Sequence, residues 1–518
     1  MPMTGREIRW AVVVSWIALA GLWAGVGKDL SAQAAPQGQV TWAIHFTIAP
    51  TYFEPAEHQG IITPMLFYYA LHDALVKPMP GNVMAPGLAE SWTESPDGLV
   101  YEFQLRQGVS FHNGDPFTAE DVVFSFQRYK GAAANELKTR VRDVEAVDPH
   151  RVRFHLQEPW PDFMANFGTP ATGAAWIVPK AYIEKVGVDG FKKHPVGAGP
   201  YQFVSQDPGV GLILEANERY WRKVPHIKRL VLKSIPEDTT RLAMLKRGEA
   251  DIAYGVMGVV AEEIQRDPNL KLVPVLGTVT QWVDVFAQWD PKSPWADVRV
   301  RRAANHAIDR QAMNDAESLG HSKPVGSIIP RGMDFALPLE PPPYDPQKAR
   351  QLLREAGFPN GFDGGEIAVG PPYGAVAEAV ATYLGAVGIR TKVRLMERAA
   401  MTTARRERQL KHLSYGGSGA YGNAATRIEA FVVGGGTYAV GSVPEIDERF
   451  RQQAGERDPA KREVILHEIQ RIMHEKALFV PIWELAFLSG VGPRIAESGL
   501  GLIPLYIYSA PYEDVRLK

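Results

Sequence analysis

The sequence predicts an α/β protein built from two or three globular units, and three observations lead there. At 518 residues the chain is too long for one compact core. Short strands and helices are mixed between about 52 and 185, and from about 277 onward helix and strand alternate as in layered α/β proteins. With 45% apolar residues, the chain also has the material to fill cores of that size.

Taken in order, residues 1–34 read as an export signal. Arg6 and Arg9 open it, an apolar run follows over 10–26, and Ala32-Gln33-Ala34 offers a small-residue cleavage site before Ala35. The run exceeds the usual signal core, so an uncleaved single-span anchor is the alternative, and both place the body outside the cytoplasm. A β-rich run at 40–46 precedes a helical pattern over 64–75. Pro96-Asp97-Gly98 is a turn signal, after which Tyr101, Phe103 and Leu105 alternate with polar residues as a half-buried strand requires. Asn113-Gly114-Asp115-Pro116 punctuates the chain again, and Thr118 is placed to cap a helix entered at Ala119, with Asp121 three residues on. A second hairpin pattern follows Asp148-Pro149, with Val152, Phe154 and Leu156 alternating.

In the later half, Asp345 and Pro346 form an N-cap and first-turn pair, Leu352 and Leu353 supply a buried stripe, and Gly357 is a left-handed stop. Gly388 separates a helical stretch over 373–387 from a strand over 389–396. Asp458-Pro459 opens a helix whose Ile465, Ile469, Ile472 and Met473 share a face, and this helix leads into an apolar strand over 478–483.

Composition excludes several function classes. The formal charge of -2 comes without any Lys/Arg run, so no nucleic-acid partner is expected. The lack of cysteine removes disulfides, thiolate metal sites and cysteine nucleophiles. Past the N-terminal run no segment approaches the roughly 20 apolar residues of a membrane helix, so the body is not itself a channel. Gly417 to Gly422 matches G-x-G-x-x-G formally, but its late position and the glycine-rich continuation Gly434-Gly435-Gly436 argue against a dinucleotide unit. His467 and His474 are seven apart, whereas the zinc protease helix needs four. No G-x-S-x-G elbow is present, so no catalytic residue, cofactor or metal is assigned.

Several motifs, in order, carry a resemblance. They are Leu88-Ala89-Glu90-Ser91-Trp92, the strand Tyr101 to Arg106, Phe111-His112-Asn113-Gly114, and Pro116-Phe117-Thr118-Ala119-Glu120-Asp121-Val122. Further along come Val196 to Tyr201, with Ala198 where threonine is usual, then Lys246 to Asp251, Asp297 to Ala303, Ala307-Ile308-Asp309-Arg310, and Tyr344-Asp345-Pro346 through Gly357. Together the chain resembles extracellular solute-binding protein family 5, the dipeptide-, oligopeptide- and nickel-binding proteins of ABC importers.

The resemblance implies a two-lobed, periplasmic-binding-protein-like α/β fold with the ligand cleft between lobes. Lobe I would comprise 36–276 and 484–518, with 52–185 an extra subdomain, and lobe II 277–483. It implies a non-enzymatic monomer that captures a peptide or similar small organic solute in the periplasm and delivers it to an ABC permease and ATPase complex. A sensory module serving a chemoreceptor, or a secreted hydrolase on the same scaffold, are the alternatives.

For the cleft, the resemblance points to the loop after Lys411, which in peptide-binding relatives carries an aspartate for the peptide's ammonium group. Here 414–423 contains no carboxylate, and Ala420 is the closest positional match. Burying an ammonium without a charged partner is costly, which argues against ordinary free-amine peptides. Tyr415, Tyr421 and Asn423 are candidates for a neutral hydrogen-bonding wall, with a glycine-rich surface loop as the alternative. Trp282 and Asp284 fall on one face of a strand that the resemblance puts near the cleft, and His45, Phe46 and Tyr52 follow the first strand and are placed to line lobe I.

Overall fold

The apolar residues after Gln39 form the middle of the main sheet. In the computed structural model, which describes residues 35–57, 62–170, 172–418, 422–503, 506–508 and 511–518, this sheet has eleven strands. In chain order they are β1 (Gln37–Ile44), β2 (Tyr201–Asp207), β3 (Gly211–Ala216), β4 (Ile227–Ser234), β5 (Ile252–Val256), β6 (Lys271–Val285), β7 (Lys323–Pro324), β8 (Phe362–Val369), β9 (Ile389–Leu395), β10 (Leu413–Ser418) and β11 (Phe479–Val491). Their spatial order is β2-β3-β4-β1-β5-β11-β6-β10-β8-β9, with β7 pairing on β11. The export signal lies outside the described residues, and so does Tyr421.

Strands β6 and β11 join the two ends of this sheet. They are antiparallel, and their register breaks between Leu276 and Thr280. On one side of the break β11 carries β5, with Ile252 opposite Val491; on the other β6 carries β10, with Thr280 opposite Ser418. Both faces of β11 are covered, so nearly every residue from Val480 to Val491 is buried and the strand shows no alternation. The sequence predicts its end near Trp483, because Glu484 interrupts the apolar run. The strand continues because the Glu484 carboxylate accepts the Arg331 backbone N–H at 2.6 Å, which satisfies the charge locally.

A separate four-stranded antiparallel sheet occupies the early part of the chain, in the order Ala89–Glu94, Val100–Leu105, Arg151–Leu156, Val141–Asp148. Tyr101, Phe103 and Leu105 point inward with Val152, Phe154 and Leu156, as their alternation predicts. The turn before them is held by Asp97, whose carboxylate accepts from Leu99 N–H and Ser95 Oγ, with Gly98 at φ +75°. Helix Ala119–Arg128 begins where expected, and the Thr118 N–H donates to Asp121 Oδ2 at 2.9 Å.

Other predicted elements form with the expected punctuation. Asp345 accepts from Lys348 N–H at the start of helix Pro346–Glu355, and Asp458 accepts from Ala460 N–H at the start of helix Pro459–Glu475. Gly357 and Gly388 both take left-handed φ values. The helical pattern over 64–75 stops earlier than read, at Leu71, because Asp73–Ala74 pairs with Trp176–Ile177 as a two-residue ladder. Tertiary pairing outweighs local propensity there.

Candidate functional site

Two walls face each other where the sheet changes hands at β6 and β11. The first starts at the end of β1. His45 stacks on Tyr254 of β5 with ring centroids 5.8 Å apart and meets Phe46 edge-on at 5.2 Å. The imidazole has room because residue 255 is glycine: a Cβ there would lie 2.7 Å from His45 Nδ1, and the backbone is at φ +73°. Burial, with the charges of Arg241 and Arg398 adding to it, holds His45 well below its ordinary pKa, so the ring is neutral. Aromatic contacts continue from Tyr254 to Phe487 at 4.6 Å and from Phe487 to Tyr508 at 4.8 Å.

The second wall meets the first at this point. Tyr373 and Tyr508 share a hydroxyl–hydroxyl hydrogen bond, and Tyr373 packs 6.2 Å from Tyr415 of β10. An aromatic path therefore runs from β1 to β10. Along it Trp42 Nε1, His45 Nδ1 and the Tyr254 hydroxyl are buried with no protein partner among the described residues. Buried donors and acceptors are rarely left so, because each costs about 1–3 kcal/mol unpaired.

A third feature lies beside Phe46 and Tyr52. Helix Arg398–Arg406 brings the Arg398 guanidinium over both rings, 4.8 Å and 5.6 Å from their centroids. Next to it is a cavity of about 400 Å³ lined by Tyr52, Glu57, Lys130, Arg398, Thr402 and Arg406, among others.

Charged contacts close the edge of the two walls. The Asp162 carboxylate accepts from Asn423 Nδ2 at 2.7 Å and pairs with Arg462 at 2.5 Å, and all three side chains are buried. Arg140 pairs with Glu429 at 2.7 Å, and Thr437 Oγ1 donates to the Ala132 carbonyl. Burial pushes the Glu429 carboxyl up to about 7; Arg140 opposes the rise, while Glu136 and Asp162 add to it.

Of the residues singled out by sequence, His45, Phe46 and Tyr52 come together on the first wall. Tyr415 lies on the second, whereas Trp282 and Asp284, paired opposite Gly416 and Ser414, sit on the other face of the same sheet, and the polar atoms of all three are spent inside the protein. Trp282 Nε1 donates to Asp284, Arg405 pairs with Asp284 at 2.7 Å, and the Tyr415 hydroxyl donates to Gln281, which also receives Trp483 Nε1. Trp282 and Tyr415 are fully buried, and neither keeps a free hydrogen bond. Asn423 caps helix Ala424–Phe431 through Thr426 N–H and is held by Asp162. Strand β10 precedes that helix in the chain, so the G-x-G-x-x-G segment lies between a strand and a helix. The Asp162 carboxylate nevertheless stands at the helix start, where a phosphate would have to bind.

Sequence reading missed Tyr254, Tyr373, Phe487, Tyr508, Arg398 and Asp162. Only the odd glycine, Gly255, inside an apolar run hinted at the close approach. His474 bonds the Gly326 carbonyl, and among the described residues no cluster of three or more His, Asp and Glu can hold a metal.

Residues 83–439 match the model of the bacterial extracellular solute-binding proteins, family 5. The chain belongs to this family. Among relatives, the di/tripeptide-binding protein 2 of Pseudomonas aeruginosa is 29% identical over 490 residues, covering 87% of this chain and 91% of its own. Among solved structures, Helicobacter pylori DppA in complex with the peptide STSA superposes with a TM-score of 0.81 at 24% identity, over 93% of this chain and 98% of its own. MoaA from A. tumefaciens R10, in complex with mannopinic acid, gives 0.80 at 24% identity, over 93% and 100%. The fold is thus the two-lobed α/β architecture of periplasmic binding proteins with a cleft between lobes, and this family 5 chain is a solute-binding protein of the ABC-importer type. Among the described residues no helix is long and apolar enough to cross a membrane.

Proposed function

We propose that this family 5 protein captures a peptide-sized organic solute between its lobes in the periplasm and presents the closed form to an ABC permease and its ATPase. The lobes divide at the register break of β6, giving 36–276 with 484–518 as lobe I and 277–483 as lobe II, and 52–185 is an added subdomain of lobe I. The observation that carries the reading is the continuous aromatic path between walls, with buried polar atoms that lack protein partners. A ligand that pairs with them gains contacts available only when the lobes are shut, and such differential contacts are what shift an open–closed equilibrium.

His45, Phe46 and Tyr52 form the lobe I contact surface, extended by Tyr254, Phe487 and Tyr508. Tyr373 and Tyr415 supply the opposite wall, and Trp282, held by Asp284, backs it from the other face of the sheet. Asn423 stands at the edge of the walls, where Asp162 holds it. The protein acts as a monomer, returns its cargo unchanged, and is exported by residues 1–34. Native mass spectrometry of protein purified gently from the periplasm, followed by denaturing release, tests this. A stoichiometric small molecule is expected, and turnover of that molecule on incubation, or a stable dimer, would contradict the reading.

A further inference from the structure

Resting on that capture reading, we propose that Arg398 is an anion receptor for the cargo: the solute carries a carboxylate or equivalent anionic group that docks on this guanidinium beside Phe46 and Tyr52.

Arg398 is half-buried, and its Nη1 is buried without a hydrogen-bond partner. Among the described residues it is in no ion pair, although acids stand nearby. Glu397, its neighbour, is turned to its own helix and accepts from Ala399 and Ala400 N–H at 2.7 and 3.1 Å. Glu57, across the adjacent cavity, is matched by Lys130 at 3.2 Å and Lys192 at 2.7 Å. Lys130 and Arg406 also line the cavity, so its charge is in cationic surplus, with threonine hydroxyls at 51, 63, 402 and 403 around it. A guanidinium held over two aromatic faces keeps its N–H edge free, and that edge fits the two oxygens of a carboxylate.

Three acids of the walls and their edge are already committed to partners within the chain. Asp284 is committed to Arg405, Asp162 to Arg462 and Asn423, and Glu429 to Arg140. The free polar atoms deeper in, Trp42 Nε1, His45 Nδ1 and the Tyr254 hydroxyl, belong to neutral groups. The uncompensated positive charge of Arg398 at the mouth selects an organic anion there.

The test measures, by calorimetry on the full chain, the solute released from the native protein against wild type, Arg398→Gln and Arg398→Lys. Matched N-acetyl dipeptides, as free acids and as primary amides, serve as probes where no solute is released. Arg398→Gln is expected to weaken the released acid, or the probe acid, at least about tenfold. Arg398→Lys should restore part of the affinity, since it keeps the charge and loses the fork. Ligand-free melting temperatures should agree within about 2 °C, because the side chain makes no buried pair. A neutral or cationic cargo, an amide bound as well as its acid, or full affinity in Arg398→Gln overturns the anion receptor and leaves capture standing. Failure of wild type to bind any solute or probe overturns the capture reading itself, and this inference with it.

Discussion

The wall around His45 and Tyr254 and the edge around Asp162 are both buried and both polar, yet they are finished differently. At the edge carboxylates find cations within the chain: Asp162 answers Arg462 and Asn423, and Arg140 answers Glu429. At the wall Trp42 Nε1, His45 Nδ1 and the Tyr254 hydroxyl, all neutral groups, are unanswered among the described residues. The difference separates two tasks. Paired charges fix how the walls meet, since breaking such a pair is costly, while unanswered neutral groups hold selectivity in reserve for a molecule from outside.

The sharpest way to break this comparison is Asp162→Ala. It strands Arg462 in a buried site and should cost about 3 kcal/mol, expressed as roughly 100-fold weaker solute binding and a larger radius of gyration by solution scattering. Unchanged binding would mean the edge plays no part in closure. The Glu429 carboxyl supplies a second, pH-dependent test. Its pKa is about 7 in this structure, above its ordinary value of 4.5, because burial disfavours the charge, so closure that buries it is expected to take up a proton. That contribution is complete below about pH 4.5 and is lost as pH rises through about 7, by up to about 1.4 kcal/mol per pH unit. Solute affinity measured from pH 5 to 8 should therefore fall, and Glu429→Gln should flatten the profile.

Smaller effects sharpen the wall. Tyr254→Phe removes a buried unpartnered hydroxyl, so the ligand-free protein should gain about 1 kcal/mol in chemical denaturation while solute affinity drops. A loss of stability would show that the hydroxyl is satisfied after all. Tyr415→Phe leaves Gln281 still bonded to Trp483 and should cost at most about 1 kcal/mol of stability, with affinity unchanged within about twofold. A large loss of affinity would move that hydroxyl from support to contact.

Local devices were legible in the sequence because their partners are a few residues away. Asp97, Asp345 and Asp458 announce turns and helix starts whatever the rest of the chain does. The candidate site was only partly legible. His45, Phe46 and Tyr52 could be named because they follow a recognisable strand, but Tyr254 lies in a five-residue strand buried on every residue and carries no periodic signal. Arg398 looks like Arg405 and Arg406 on the same helix; only the contacts tell them apart, one pairing with Asp284, one with Glu407, one with no acid. Asp162 meets Arg462 across 300 positions, beyond the reach of any local pattern. Glu484 misled in the other direction, as a charge that ended a predicted strand and in fact sits within one.

The long pair β6 and β11 also shapes how such a molecule can be altered by inheritance or design. β11 is hydrogen-bonded to β5 on one side and to β6 on the other, so the chain that completes the first wall arrives only after the whole second wall has been synthesised. Neither wall is a contiguous stretch of gene. A single recombination event near 276 would leave β5 beside a foreign β11, whereas exchanging the second wall intact, and with it Arg398, requires matched junctions at both crossings.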